Sequence, residues 1–274
     1  MTGVAQAPPL VARPALRRAY GRLLLPTVTV VALLAVEEVL SRLDVLPSAD
    51  FPPVSKVGQV LYEELSAAPI WTAIWQTLLS SVLGLAIAAA LAVPIGLLLG
   101  ISTLANRSVR VVVEFLRPIP PITIVPLAIL MFGTGLSMKL LLIVFGCFWA
   151  LLIQTMYGAG ETDPVLSDAA RAYGFGPWWR FRRMTLPSAA PFIATGLRLS
   201  AMLAVGLSVV AELVGGATGL GQTIFTAQLA DDMPRMYAVV VLAALLGMAL
   251  ERVLRLCERR VLHWHEAYRP GVGA

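Results

Sequence analysis

The chain has 274 residues, of which 58% are hydrophobic and 14% are charged, and its mean hydropathy is +0.81. Soluble globular domains carry about 25% charged residues, so this composition excludes an ordinary soluble domain. The net charge of +5 is compatible with a nucleic-acid-binding protein, but the basic residues lie in short segments beside apolar runs. That distribution is typical of helical membrane proteins, and we expect an all-α polytopic membrane fold.

The N-terminal residues 1–19 contain prolines and arginines without an apolar period, which is typical of a disordered arm. We expect a transmembrane domain over residues 20–262 and a cytoplasmic tail over residues 263–274. The first span is predicted from about Gly21 to Leu40, where the apolar run is the shortest of the chain.

A short helix is predicted on the outer surface between the first two spans. It follows a pair of prolines, which are favourable at a helix start, and its aliphatic residues recur at helical spacing. These residues are Val54, Val57, Leu61 and Leu65.

Five further runs with few or no charges predict five more spans. A helix needs roughly 20 apolar residues to cross a bilayer, and we assign one span to each run. The runs are Leu65–Asn106, Pro118–Met138, Leu140–Gly160, Ser188–Ala211 and Met236–Leu250.

Lysine and arginine residues set the predicted orientation, because they are enriched in cytoplasmic loops. With six spans and a cytoplasmic N-terminus, most of them fall on the inner side. The outer segments keep only Arg42, Lys56, Lys139 and Arg235. We therefore expect both termini, and the polar segment between the fourth and fifth spans, to face the cytoplasm.

The third span is preceded by Arg117, Pro118, Pro120 and Pro121. Three prolines within four residues cannot continue a regular helix. Either the backbone is broken at membrane depth, which is tolerated beside protein or a water-filled cavity, or the prolines form a cytoplasmic loop before the span. These four residues are candidates for shaping a transport pathway or a hinge.

The polar segment Asp168–Pro187 reads DAARAYGFGPWWRFRRMTLP. A helix over Pro164–Tyr173 is predicted, with Asp163 as its cap and Gly174 as its stop. A second short helix is expected to start at Pro177 and to end at Leu186-Pro187. The pair could form a protrusion that approaches a partner's groove through small side chains, or it could lie on the lipid surface.

The segment resembles the EAA loop of ABC importer permeases, with D-A-A, a glycine six residues after the aspartate, and a closing Leu-Pro. Asp168 stands where that family has glutamate, and Met184 where it has a branched aliphatic residue. The resemblance implies a coupling helix that docks into a cleft of the ATP-binding subunit. The candidate coupling residues are Asp168, Ala169, Ala170, Arg171, Gly174, Leu186 and Pro187.

Four other stretches are similar to the nitrate/sulfonate/taurine branch of these permeases, so that the resemblance covers about Leu46–Trp264. They are LRPIPPITIVPLAILMFGTG, GLRLS, AELVGGATGLG and ERVLRLCERRVLHW. The resemblance implies the permease subunit of an ATP-driven importer in a bacterial inner membrane. It also implies two ATP-binding subunits and an extracytoplasmic solute-binding protein. The branch includes pyrimidine-precursor importers, so the solute stays open.

Two charged residues of the fifth span are further candidates. Arg198 lies well inside it, where an arginine is functional by default. It could line the route of an anionic solute, or pack against a carboxylate such as Glu114. Glu212, at the outer end, could act as a gate or as a loop anchor.

No cofactor, metal site or chemistry is expected in this chain. The phosphate-binding pattern G-x-x-x-x-G-K-[ST] is absent from the sequence, so ATP must be used by a partner subunit. The alternatives are a secondary, ion-coupled transporter or channel, and a membrane enzyme. The enzyme is disfavoured because both histidines lie in the C-terminal tail. One six-span chain offers little room for a pathway, so we expect a homodimer with the route along its two-fold axis.

Overall fold

The computed structural model describes residues 15–43, 45, 47 and 49–263, and this part of the chain is helical throughout, without strands. A 3₁₀ turn at Pro121–Ile124 and a π turn at Phe181–Thr185 accompany the α-helices. The helices are α1 (Ala15–Arg42), α2 (Val54–Ser66), α3 (Ala68–Ile101), α4 (Thr103–Leu116), α5 (Val125–Phe132), α6 (Leu136–Gly160), α7 (Pro164–Ala172), α8 (Pro177–Arg180), α9 (Leu186–Gly215), α10 (Leu220–Leu229) and α11 (Met233–Val261).

Within the described residues, four helices are long and apolar enough to cross a membrane: α3, α6, the joined helix Pro177–Gly215 and α11. The pair formed by α4 and α5 adds a fifth if it is counted as one bent span. The all-helical membrane fold is therefore confirmed with four to five candidate spans. The sixth predicted span, in α1, stays a prediction.

The chain divides into two compact units, residues 1–59 and 60–274. In the first unit, the Ser41 hydroxyl donates to the Phe51 carbonyl at 2.7 Å, and Glu38 accepts from the Ser55 N–H at 2.9 Å. The predicted outer helix is α2. Helix α1 begins at Ala15, within the arm predicted over residues 1–19, and residues 1–14 and 264–274, with most of the predicted tail, lie outside the described residues.

The core of the second unit is formed by α3, α6 and α9. Buried aliphatic residues of these three helices, such as Ala88, Leu151 and Ala204, make up its largest cluster. The helices α3 and α6 approach closely at Gly96. A Cβ added to this glycine would lie only 2.7 Å from the Cβ of Thr155. Small residues at helix contacts are the usual means of packing in membranes, where lipid offers no hydrophobic force between helices.

The third predicted span, Pro118–Met138, is not one regular helix. Helix α4 ends at Leu116, and the chain resumes with the 3₁₀ turn and the eight-residue α5, bent by 78° from α4. The prolines cause the break because they lack an N–H donor and their rings clash with the preceding turn. The structure thus has the broken backbone, not a plain loop followed by a full span.

The polar segment also differs from the prediction of two short helices. The helix that starts at Pro177 does not end at Leu186-Pro187 but continues to Gly215. The ring of a proline clashes with the carbonyl four residues before it. Here the backbone widens into a π turn in which the Leu186 N–H donates to the Phe181 carbonyl, five residues back. Pro187 is accommodated, and the helix does not stop.

Candidate coupling loop and buried charged clusters

Helix α7 has the predicted boundaries and caps. The Asp163 carboxylate accepts from the Val165 N–H at 2.8 Å, and Pro164 occupies the first turn. Gly174 follows the helix with φ of +79°, in the left-handed region that favours glycine. The Phe175 N–H donates to the Ala170 carbonyl at 3.0 Å and closes the end of the helix. A rigid, nine-residue rod results.

The candidate coupling residues of α7 do not share one face. Asp168, Ala169 and Arg171 are exposed, whereas Ala170 is only 7% exposed. Ala170 is therefore packed against its own chain, and it does not offer a small side chain to a partner's groove. The Asp168–Arg171 ion pair is 3.8 Å long and well exposed, so it contributes little stability.

Apolar side chains extend the exposed face of α7. Val165, Leu166 and Tyr173 are exposed at the two ends of the rod. Large apolar side chains held in the open on the outside of a small helix mark an interaction surface. We call the exposed residues Val165, Leu166, Asp168, Ala169 and Tyr173 the α7 face.

Leu186 and Pro187 lie apart from the α7 face, at the start of α9. Leu186 is exposed and Pro187 is half-buried, while the neighbouring Ala189 is fully buried. Ala189 packs with Leu97 and Ala159. The closing Leu-Pro of the loop therefore lies inside the long helix, next to a buried position.

Aromatic residues fix the stretch between the two helices. The rings of Phe175 and Trp179 stack with centroids 4.1 Å apart, and those of Trp178 and Phe181 stack at 5.6 Å. The first pair joins the junction to the long helix, whereas the second lies within the first turn of the long helix. Stacked aromatic pairs add stability beyond their buried area, so the junction is stiffened.

The candidate residues of the bent segment differ in their exposure to solvent. Arg117 follows α4 and lines a cleft of about 360 Å³ with Arg110, Glu114 and Tyr157. Pro118 and Pro120 are exposed. Pro121 is half-buried, and its Cγ would lie 3.1 Å from a Cβ at Gly146 of α6.

Glu212 is fully buried in α9, and its carboxylate is surrounded by donors. Lys139 Nζ of α6 lies 2.8 Å from Oε1. Thr77 Oγ1 of α3 lies 2.9 and 3.0 Å from the two oxygens. Ser208 Oγ and the Gly221 N–H, at the start of α10, both donate at 2.9 Å. We call these five residues the Glu212 cluster.

The polar groups of Lys139 and Thr77 in the Glu212 cluster also have hydrogen-bond partners. Lys139 Nζ also donates to the carbonyls of Thr218 at 3.0 Å and Gln76 at 3.3 Å. Thr77 Oγ1 accepts the Leu220 N–H at 3.0 Å. A buried ion pair contributes only where its remaining donors and acceptors are hydrogen-bonded, and here they are. The cluster ties α3, α6, α9 and the start of α10 together.

The glycine-rich turn before α10 is shaped by the Glu212 cluster. Gly219 has φ of +153°, and a Cβ there would collide with the Glu212 carboxylate. A Cβ at Gly221 would collide with the Val209 carbonyl. The turn therefore needs glycine, because it wraps closely around the buried Glu212 carboxylate.

Sequence reasoning missed Lys139, which it placed in an outer loop. The signal was present, since Lys139 is the single charge that separates two long apolar runs. A single charge at the boundary of two spans fits a solvated loop as well as a buried partner. Only the packing of α6 on α9 shows that it meets Glu212.

Arg198 lies in α9 and contacts two carboxylates of α11. Its guanidinium is 3.8 Å from Glu251 and 3.5 Å from Glu258. The expectation of a carboxylate partner is confirmed, but the partner is not Glu114, which pairs with Arg110 at 2.6 Å. The spans therefore hold more ionisable residues than Arg198 alone.

No group of three His, Cys, Asp or Glu side chains that could hold a metal ion occurs within the described residues. Both cysteines are free thiols, Cys147 in the core and Cys257 exposed.

The family model for the binding-protein-dependent transport system inner membrane component matches residues 92–263. The chain belongs to this family. It is a permease component of an ABC transporter and a multi-pass protein of the inner membrane, and ATP is hydrolysed by a partner subunit. Family membership rules out a secondary transporter or a membrane enzyme.

Individual relatives cover most of the chain. A putative aliphatic sulfonates transport permease protein, SsuC of Bacillus subtilis strain 168, is 30% identical over 92% of this chain and 91% of that protein. The taurine transport system permease protein TauC of Escherichia coli K12 is 29% identical over 86% of this chain and 88% of that protein. A probable ABC transporter permease protein of Brucella abortus is 33% identical over 64% of this chain and 70% of that protein.

Solved structures share the fold. A chain of the MetNI methionine ABC transporter, in an inward-facing conformation, superposes with a TM-score of 0.59 at 24% identity. The match covers 69% of this chain and 98% of that chain.

Proposed function

We propose that α7 is the helix through which the ATP-binding subunit moves this permease. The observation that carries the proposal is the α7 face, an exposed row of small and apolar side chains on a capped, rigid rod. Asp168 and Ala169 of this face would contact the partner, together with Arg171, which is exposed beside it. Gly174 would set the direction in which the rod leaves the long helix.

The continuous helix Pro177–Gly215 gives this contact a mechanical consequence. Its 39 residues make it roughly 58 Å long at 1.5 Å rise per residue. Because no break separates the stiffened junction from α9, a displacement of α7 reaches the span without an intervening hinge. Leu186 and Pro187 would act inside this lever, directly after the π turn, and not as its contact surface.

We propose a homodimer with the transport route on its two-fold axis. Arg117, Pro118, Pro120 and Pro121 are the proposed pathway residues of this chain. They are supported by the 78° bend and by the cleft beside Arg117. Irregular backbone at membrane depth occurs where it lines a cavity or is covered by protein. The pairing of Arg198 and the burial of Glu212 support structural roles for both residues.

We propose a small anionic solute of the sulfonate type, delivered by an extracytoplasmic solute-binding protein. The proposal is supported by the two relatives that are named for aliphatic sulfonates and taurine. Nitrate and pyrimidine precursors are the alternatives that the sequence resemblance leaves open. A strain that lacks the gene should lose uptake of taurine or of an alkanesulfonate. Normal uptake of sulfonates with loss of nitrate or pyrimidine-precursor uptake would reject the sulfonate proposal.

The coupling proposal is tested by Ala169→Trp, because Ala169 lies in the middle of the α7 face. We expect the variant to insert and to melt like the wild type, but to lose the ATP-binding subunit on co-purification. Ala230→Trp is the matched control, because Ala230 is also exposed but follows α10, outside the α7 face. Ala170→Trp is unsuitable, since Ala170 is buried. Full retention of the ATP-binding subunit by Ala169→Trp would reject the proposed docking face.

The proposed topology has both termini in the cytoplasm and α7 inside. It predicts that Thr218→Cys is labelled by an impermeant thiol reagent from outside intact cells, whereas Ala169→Cys is protected. The experiment needs a Cys257→Ser background, because Cys257 is exposed. Labelling of Ala169→Cys from outside would overturn the topology and the coupling proposal together.

A further inference from the structure

A charged cleft of about 450 Å³ lies between α9 and α11, away from the α7 face. It combines guanidinium groups with apolar side chains. Its lining residues are Arg198, Leu199, Met202, Glu251, Arg255 and Arg259.

Arg198 is incompletely satisfied at this cleft. A guanidinium carries five N–H donors, yet within the described residues the Arg198 side chain makes no hydrogen bond, only the two ion pairs of 3.5 and 3.8 Å. Its side chain is 29% exposed and lines the cleft. An arginine inside a span needs acceptors, so the open donors point to a ligand that brings oxygen atoms.

The charges that line the cleft do not balance. Arg255 pairs with Glu251 at 2.6 Å, and Arg198 uses the same carboxylate. Arg259 is exposed, and it makes no ion pair with any described residue. Three guanidinium groups therefore face two carboxylates, Glu251 in the lining and Glu258 beside Arg198, and the remaining positive charge favours an anion.

Leu199 and Met202 form an apolar wall of the cleft, and this wall indicates a second property of the anion that would bind there. Leu199 and Met202 are about half exposed and lie further along α9 from its cytoplasmic start, whereas Arg255 and Arg259 lie in the last two turns of α11. In the proposed topology, the arginines face the inner headgroup region and the two apolar residues face the hydrocarbon. Long arginine side chains reach that region from within a span.

We propose that this cleft binds the phosphate of an anionic phospholipid from the inner leaflet, with its acyl chain against Leu199 and Met202. Arginine is suited to phosphate because its planar fork donates two parallel hydrogen bonds. Basic pockets between membrane helices on the cytoplasmic side are able to hold such headgroups. Free inorganic phosphate shares the charge but gains nothing from the apolar wall. The inference goes beyond solute transport and concerns a site that the coupling mechanism does not use.

The test measures lipids bound to the purified transporter complex by native mass spectrometry. The complex is offered phosphatidylglycerol and phosphatidylcholine in equal amounts. We expect the wild type to retain phosphatidylglycerol preferentially. Arg259→Gln should lower the bound phosphatidylglycerol about fivefold, which corresponds to about 1 kcal/mol per arginine. Arg260→Gln is the matched control, because it removes the same charge from the next exposed residue of α11, outside the cleft. It should retain the lipid.

Four results would overturn the proposal. Equal losses in Arg259→Gln and Arg260→Gln would show a general charge effect, and equal retention of phosphatidylcholine would show no headgroup recognition. Displacement of the lipid by excess inorganic phosphate would identify a free anion as the ligand. A change in the number of permease chains in Arg259→Gln would show that a second copy covers the cleft. Transport assays report separately on the proposed function.

Discussion

The two ends of the helix Pro177–Gly215 are built in opposite ways. At one end, the Glu212 carboxylate is fully buried and accepts from four donors, which are Thr77, Lys139, Ser208 and the Gly221 N–H. At the other end, the helix begins at a glycine-flanked junction and carries the exposed α7 face. The difference separates two tasks along one helix. The buried end holds four helices together, and the exposed end is the one that the proposed coupling mechanism has a partner move.

The largest expected effect is at the buried end, from Glu212→Leu. Removing one partner of a buried ion pair leaves the other charge uncompensated, which costs about 3–5 kcal/mol. We expect the melting temperature of the purified permease to fall sharply. The double variant Lys139→Met/Glu212→Leu should recover only part of the loss, since the Gly221 N–H would still lack its acceptor. A single variant as stable as the wild type would show that the Glu212 cluster does not hold the bundle.

A smaller loss of stability is expected for Gly219→Ala. The substitution forces a side chain into the left-handed region and against the Glu212 carboxylate, and a strained position of this kind costs about 1–3 kcal/mol. Gly206→Ala is the matched control, because a Cβ at Gly206 in α9 meets open space. Equal melting temperatures for the two variants would contradict the close wrapping of the glycine-rich turn.

Arg198→Gln, in the middle of the long helix, should have an intermediate effect of about 1 kcal/mol. Its ion pairs are long and its side chain is partly exposed, so solvent screening reduces their contribution. Thermal unfolding of both variants in the same detergent compares the partly exposed charge of Arg198 with the buried charge of Glu212. A loss as large as that of Glu212→Leu would mean that Arg198, too, belongs to the fixed part of the bundle.

The smallest effect is expected for Arg110→Gln in α4. The Arg110–Glu114 pair is exposed on both sides, and an exposed pair at this helical spacing contributes about 0.3–0.5 kcal/mol. The melting temperature should stay close to that of the wild type, and high salt should remove what difference remains. A drop comparable to that of Arg198→Gln would show that exposure does not rank these ion pairs.

The sequence was sufficient where one local rule determines the structure. The cap at Asp163 and the stop at Gly174 follow from residue type, and the apolar runs locate α3, α6 and α11. The sequence alone was insufficient where a structural feature depends on a contact with a residue far away in the chain. The pairing of Lys139 with Glu212 depends on the packing of α6 against α9, and the burial of Ala170 depends on how a short helix lies on its own chain.

The local sequence also failed to predict that the long helix continues through Pro187. A Leu-Pro pair ordinarily predicts a helix end, and the π turn that accommodates Pro187 leaves no pattern of its own in the sequence. This single difference changes the mechanism. The segment after Gly176 becomes part of the span and is no longer a second helix on the membrane surface.

The central claim, that α7 drives the long helix, is tested most directly by two glycines of one junction. Gly174 has φ of +79°, whereas Gly176 has φ of −64°, and a Cβ meets open space at both positions. Gly174→Val should therefore redirect α7, while Gly176→Val keeps the native backbone. The measurement is ATP-dependent uptake by proteoliposomes that hold the assembled transporter. The account predicts that Gly174→Val loses most of its uptake at an unchanged melting temperature of the permease and that Gly176→Val transports normally. Equal, normal uptake by both variants would contradict it.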